Sequence, residues 1–104
     1  WPARHQAGSV SDATYPPMGA RFRLKASFDI SRYPASAQVV LKAMKTYGLV
    51  LADNGSPWFF QGTADTRWTS AFIDSLRSVP ASAFEAVDSS ALVISSSSGA
   101  ARRL

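Results

Sequence analysis

Pro34-Ala35-Ser36-Ala37-Gln38-Val39-Val40-Leu41-Lys42-Ala43-Met44-Lys45-Thr46-Tyr47-Gly48-Leu49-Val50-Leu51-Ala52 is the stretch whose reading decides the fold. Ala37, Val40, Leu41, Met44 and Tyr47 recur at the spacing that lines up apolar side chains along one side of a helix. Pro34 presets a helical start and Gly48 tolerates the left-handed backbone that ends one, so the pattern predicts a helix over about 34–47. The period then changes. Residues 49–52 form a short apolar run of strand character, and a helix released directly into a strand makes the two near neighbours.

Upstream, Arg21-Phe22-Arg23-Leu24-Lys25-Ala26 alternates strictly, with Arg21, Arg23 and Lys25 on one face and Phe22, Leu24 and Ala26 on the other. That is the pattern of a half-buried strand. Downstream, Phe72, Ile73, Leu76 and Val79 make an apolar stripe that Pro80 stops, which predicts a second helix over about 69–78 with Thr69 or Ser70 as its cap. Residues 84–87 read as a strand, 92–94 as a further candidate, and Trp58-Phe59-Phe60-Gln61 as a short strand after the Asn54-Gly55 turn. The elements add up to an α+β fold in which two helices pack on one face of a small, mainly antiparallel sheet.

At 104 residues the chain fits one domain, assigned to 1–94. Pro2, Gly8, Pro16, Pro17 and Gly19 punctuate residues 1–20 without a period, so these form an irregular arm, expected to pack on something or to move. Residues 95–104 read as a flexible Ser-rich tail. Pro-Ala-Ser-Ala occurs at 34–37 and again at 80–83, but the flanking residues diverge and no repeat is inferred. The first residue, Trp1, suggests a processed product or a piece of something longer.

A hydrophobic content of 46% with 17% charged residues is ordinary globular composition. No apolar run approaches the roughly 20 residues of a membrane span, and no membrane association is expected. The absence of cysteine excludes disulfides, thiolate metal sites and cysteine nucleophiles, and the single His5 excludes a multi-histidine metal centre built from one copy. No cofactor is expected. The net charge of +4 falls to +2 once Arg102 and Arg103 are assigned to the tail, and the basic residues of 21–25 are not interleaved with the tryptophans, so nucleic acid is not an expected partner.

Functional chemistry concentrates after the second strand. Asp53 and Asn54 close an apolar strand at a rim, where a carboxylate can accept a hydroxyl or act as a base; Asp-Asn-Gly is equally what a tight turn requires for backbone reasons. Trp58 and Phe60 are expected on one face of their strand and Phe59 on the other, inward, while Trp68, preceded by Asp65 and Arg67, either closes over a ligand or anchors the start of a helix. The resulting reading is a ligand-binding rim of Asp53, Asn54, Trp58, Phe60 and Trp68 that stacks and hydrogen-bonds a polysaccharide or oligosaccharide. The alternative is a fragment of a polysaccharide hydrolase or lyase using Asp53 with Asp29 or His5 as acid and base. No phosphate loop, nucleophile elbow or metal-spacing motif occurs, and no catalytic residue is assigned.

Tyr15-Pro16-Pro17-Met18-Gly19-Ala20-Arg21-Phe22-Arg23-Leu24-Lys25-Ala26, Phe28-Asp29-Ile30-Ser31, residues 49–62, Arg67-Trp68 and residues 84–88, together with the opening Trp1-Pro2-Ala3-Arg4-His5, carry a resemblance. Over nearly the whole chain short of the Ser-rich tail, it resembles the C-terminal part of a largely uncharacterised family of secreted bacterial proteins of actinobacterial type. The resemblance implies a secreted or cell-envelope setting and polysaccharide as the substrate class. It also implies a missing N-terminal half as a partner, with another copy of the chain as the other possibility.

Overall fold

The computed structural model of the chain describes residues 1–56 and 59–103. Its elements in order are β1 (Arg21–Leu24), α1 (Ala35–Thr46), β2 (Leu49–Val50), α2 (Ser70–Arg77) and β3 (Phe84–Val87), with short 3-10 turns at Ala81–Ala83 and Ser90–Leu92. The strands form one antiparallel sheet in the order β2-β1-β3, so the chain is an α+β protein with β1 at its centre.

Period-two patterning places β1 as the sequence implies over 21–24, but the strand stops at Leu24 and Ala26, expected on the buried face, lies exposed in the turn that follows. Leu24 is fully buried and Phe22 half-buried against the core, while Arg23 on the opposite face pairs with Glu85 at 2.7 Å and Lys25 donates to the Ser82 carbonyl at 2.8 Å. The inner face meets Ala37, Leu41 and Met44 of α1 and Leu76 of α2, and Val79, Ala83 and Phe84 complete the core. No polar or charged residue is buried among the described residues. The Lys45 ammonium spans from α1 to the turn after β1, donating to the carbonyls of Ala26 at 2.9 Å and Phe28 at 2.6 Å. It thereby helps to fasten a loop whose Phe28, Ile30 and Tyr33 pack against the core.

Gly48 joins α1 to β2 at φ +72, and a Cβ built there would collide with the Phe22 carbonyl oxygen. Only glycine permits that approach of the helix end to the central strand. Pairing continues past β2, where Leu51 donates to the Ala20 carbonyl at 2.9 Å and accepts from the Gly19 N–H at 2.8 Å.

Two strand assignments need correction. Residues 59–61 are not a strand: they pair with none of the strands, and the sheet ends at β2 and β3. The expected facing is also reversed: Phe59 is 63% exposed and Phe60 packs against the core. Trp58 lies outside the described residues. Residues 92–94 are not a strand either; the Asp88 carboxylate accepts from the Ser90 N–H at 2.9 Å, the chain closes a 3-10 turn, and Val93 retains a single bridge to Ala101.

The arm carries no regular element and lies against its own chain. The Trp1 indole N–H donates to the Ser98 carbonyl at 2.7 Å, Arg4 donates to the Ser97 carbonyl, and Ala3 sits against Gly19. The C-terminal stretch, expected to be a flexible tail, makes those contacts and adds a bond from the Arg102 N–H to the Leu92 carbonyl at 2.8 Å. The radius of gyration is 15.2 Å, against roughly 13 Å for a tightly packed chain of this length. The excess is consistent with an arm and the irregular stretches 51–56 and 59–69 around a small core.

Candidate functional site

Of the rim residues named from the sequence, Asp53, Asn54, Phe60 and Trp68 lie in the irregular stretches 51–56 and 59–69, and Trp58 lies outside the described residues. Asp53 and Asn54 are adjacent and exposed, and the Asp53 carboxylate accepts the Asn54 N–H at 2.8 Å, the bond expected of a side chain shaping its own turn. Gly8 of the arm lies beside this turn, close enough that a Cβ there would be 3.5 Å from the Asn54 amide nitrogen. Phe60 is directed to the core. Phe59, on the outside, lies under the Arg77 guanidinium, 5.2 Å from ring centre to cation.

Trp68 is placed differently from all of these. Immediately before the Thr69 cap, whose hydroxyl accepts the Phe72 N–H at 3.2 Å, its indole stacks on Phe72 with ring centres 5.2 Å apart and planes 25° from parallel. The indole N–H donates to the Thr63 carbonyl at 2.9 Å, yet the residue stays 48% exposed. The ring is thus fixed on one side and open on another. Beside it, the Asp65 carboxylate accepts from the Arg67 backbone N–H at 2.9 Å and is gripped by that guanidinium at 2.9 and 2.7 Å. The Arg67 bonds hold the Asp65 carboxyl below the usual carboxylate range. Trp68 therefore anchors the start of α2 and presents a ledge at the same time.

Three further carboxylates serve the backbone. Asp12, Asp29 and Asp88 each accept the N–H two residues on, from Thr14, Ser31 and Ser90, and these bonds lower all three below the usual range. A general acid requires the opposite shift, so Asp29 is poorly suited to donate a proton. His5 is exposed in the arm, and no group of metal-ligating side chains occurs among the described residues.

These shifts fix the sign of the acid response. A carboxyl whose folded pKa lies below its unfolded value of about 3.9 contributes stability that is complete above that value and lost as pH falls through the folded pKa. Thermal melts should therefore be flat from about pH 5 to 7 in these groups' contribution and decline below about pH 4. The combined Asp12→Asn, Asp29→Asn and Asp88→Asn variant retains the acceptors without the charges, and should lose less on acidification than the parent. An equal loss would refute the assignment.

A concavity lies elsewhere. About 630 Å³ opens between the arm and the end of the β1–β3 ladder, lined among others by Trp1, Tyr15, Arg21, Val87 and Ser90. Asp53, Asn54, Phe60 and Trp68 do not line it. Only the arm's pairing of prolines with Tyr15 and Trp1 signalled it, because two large rings in a polar segment without a period need something to pack on. No family model, curated protein or solved structure matches the chain.

Proposed function

We propose that this chain is a carbohydrate-associated module of a secreted or envelope-bound bacterial protein, holding a polysaccharide by stacking sugar rings on Trp68. The observation that carries the reading is the half-open indole fixed by Phe72 and the Thr63 carbonyl. An immobilised ring offers contact area without ordering cost on binding, and sugar rings present the flat C–H faces that such a surface suits. Asp65 and Arg67 beside it supply polar groups for hydroxyls, as Asp53 and Asn54 do farther along the segment. The exported setting follows from the resemblance described above. The lowered Asp29 carboxyl disfavours Asp29 as the acid of the hydrolytic alternative.

Affinity electrophoresis through gels containing soluble polysaccharides tests the reading. Retardation by at least one glycan is expected, weakened about tenfold in Trp68→Ala and preserved in Trp68→Phe. The melting temperature of Trp68→Ala should fall only by the equivalent of the lost ring pair, about 0.5–1.5 kcal/mol. Unretarded migration through every glycan, or equal retardation of Trp68→Ala, would overturn it.

A further inference from the structure

The concavity beside the arm is not used by the Trp68 ledge. Its lining combines features seldom brought together by packing alone. The Trp1 indole is held in one orientation by its bond to the Ser98 carbonyl, Tyr15 is 63% exposed, and hydroxyls of Thr14, Ser89 and Ser90 lie on the same surface. Arg21 enters it from the first position of β1.

Arg21 is the telling residue. Of the three cations that alternate along 21–25, Arg23 is neutralised by Glu85 and Lys25 is taken up by the Ser82 carbonyl. The Arg21 guanidinium has no hydrogen bond or ion pair among the described residues, although the residue is half-buried. It stands opposite Val50 on β2 and Val87 on β3, both partly exposed, so apolar neighbours flank a cation that nothing neutralises. A planar guanidinium in such surroundings favours a two-point contact with a carboxylate.

We propose that this concavity is a subsite for an acidic sugar, with Arg21 pairing the uronate carboxylate and Trp1 and Tyr15 flanking the ring. The choice of a sugar over other anions rests on the carbohydrate reading above; the charge preference rests on Arg21 alone. Asp88 also lines the concavity; its carboxylate accepts the Ser90 N–H and forms no ion pair with Arg21 among the described residues, which leaves the guanidinium to the ligand. The site is separate from Trp68, and a chain with both can hold an acidic polysaccharide at two points.

Proton–nitrogen correlation spectra recorded with a galacturonic acid trimer and with the neutral galactose trimer test the proposal. The Trp1 indole signal, assigned through Trp1→Phe, should move with the acid trimer and not with the neutral one, and added salt should reverse the movement. Affinity for the acid trimer should fall about tenfold in Arg21→Gln and in Tyr15→Ala, and should be unchanged in Val39→Ala, which alters an exposed side chain of α1 outside both sites. Tyr15 is exposed in the arm, so its variant decides the matter if Arg21→Gln fails to fold. An unmoved Trp1 signal, an equal response to both trimers, or undiminished affinity in a folded Arg21→Gln overturns the proposal. If neutral glycans are still held through Trp68 in that case, the subsite fails alone; if no glycan is held, the carbohydrate reading fails with it.

Discussion

Replacing Leu41 by alanine is expected to cost about 2–5 kcal/mol, because the side chain is fully buried between α1 and the sheet and the surrounding groups cannot collapse completely into the space it leaves. Against a total stability of about 5–15 kcal/mol for a domain of ordinary size, that loss removes a large fraction of the folded margin. Val39, two residues away on the same helix, is 68% exposed, and Val39→Ala should stay within about 0.5 kcal/mol of the parent. Urea unfolding of the two variants checks the pair. Similar midpoints would mean that α1 does not pack through the face containing Leu41.

Gly48→Ala should be comparably damaging by a different route. The φ of +72 is costly for any residue with a Cβ, by about 1–2 kcal/mol, and the added methyl meets the Phe22 carbonyl oxygen of the central strand. Backbone, unlike the end of a flexible side chain, can yield only by shifting β1 or the end of α1. A total above about 2 kcal/mol is expected. Gly62→Ala is the matched control: a Cβ there meets nothing within 4 Å, and its effect should be close to zero. If Gly48→Ala melts with Gly62→Ala, the tight junction between α1 and β1 is absent.

The elements legible in the sequence were those with a sustained period. Ala37, Leu41 and Met44 announced α1, Leu24 and its charged neighbours announced β1, and the stripe through Leu76 with Thr69 ahead of it announced α2 and its cap. Segment 59–61 misled because three aromatic or amide side chains in a row resemble a strand while saying nothing about which edge remains for pairing. Residues 92–94 misled because the turn set by Asp88 acts locally and overrides their β-branched character. At the site, Trp68 was recognised as a polar-aromatic loop residue, but its stack on Phe72 depends on the geometry of the helix start. Phe60 was lost to the core. Tyr15, Trp1 and Arg21 were not grouped, since their proximity arises from the arm folding back over the sheet, a contact without periodicity to betray it.

The position of β1 between β2 and β3 also bears on how the chain acquires its structure. Phe22 meets Leu49 on one side, within reach once α1 has formed, but on the other it meets Ala86, across a loop of more than sixty residues. Closing so long a loop carries an entropic cost that only the completed ladder repays, which places β1–β3 pairing late. At translation rates of about 5–20 residues per second, the nascent β1 waits roughly 3–12 s for its second partner to be synthesised. During that interval α1 and β2 can shelter its inner face while one edge stays open, making the newborn chain most exposed to self-association just before its last strand arrives.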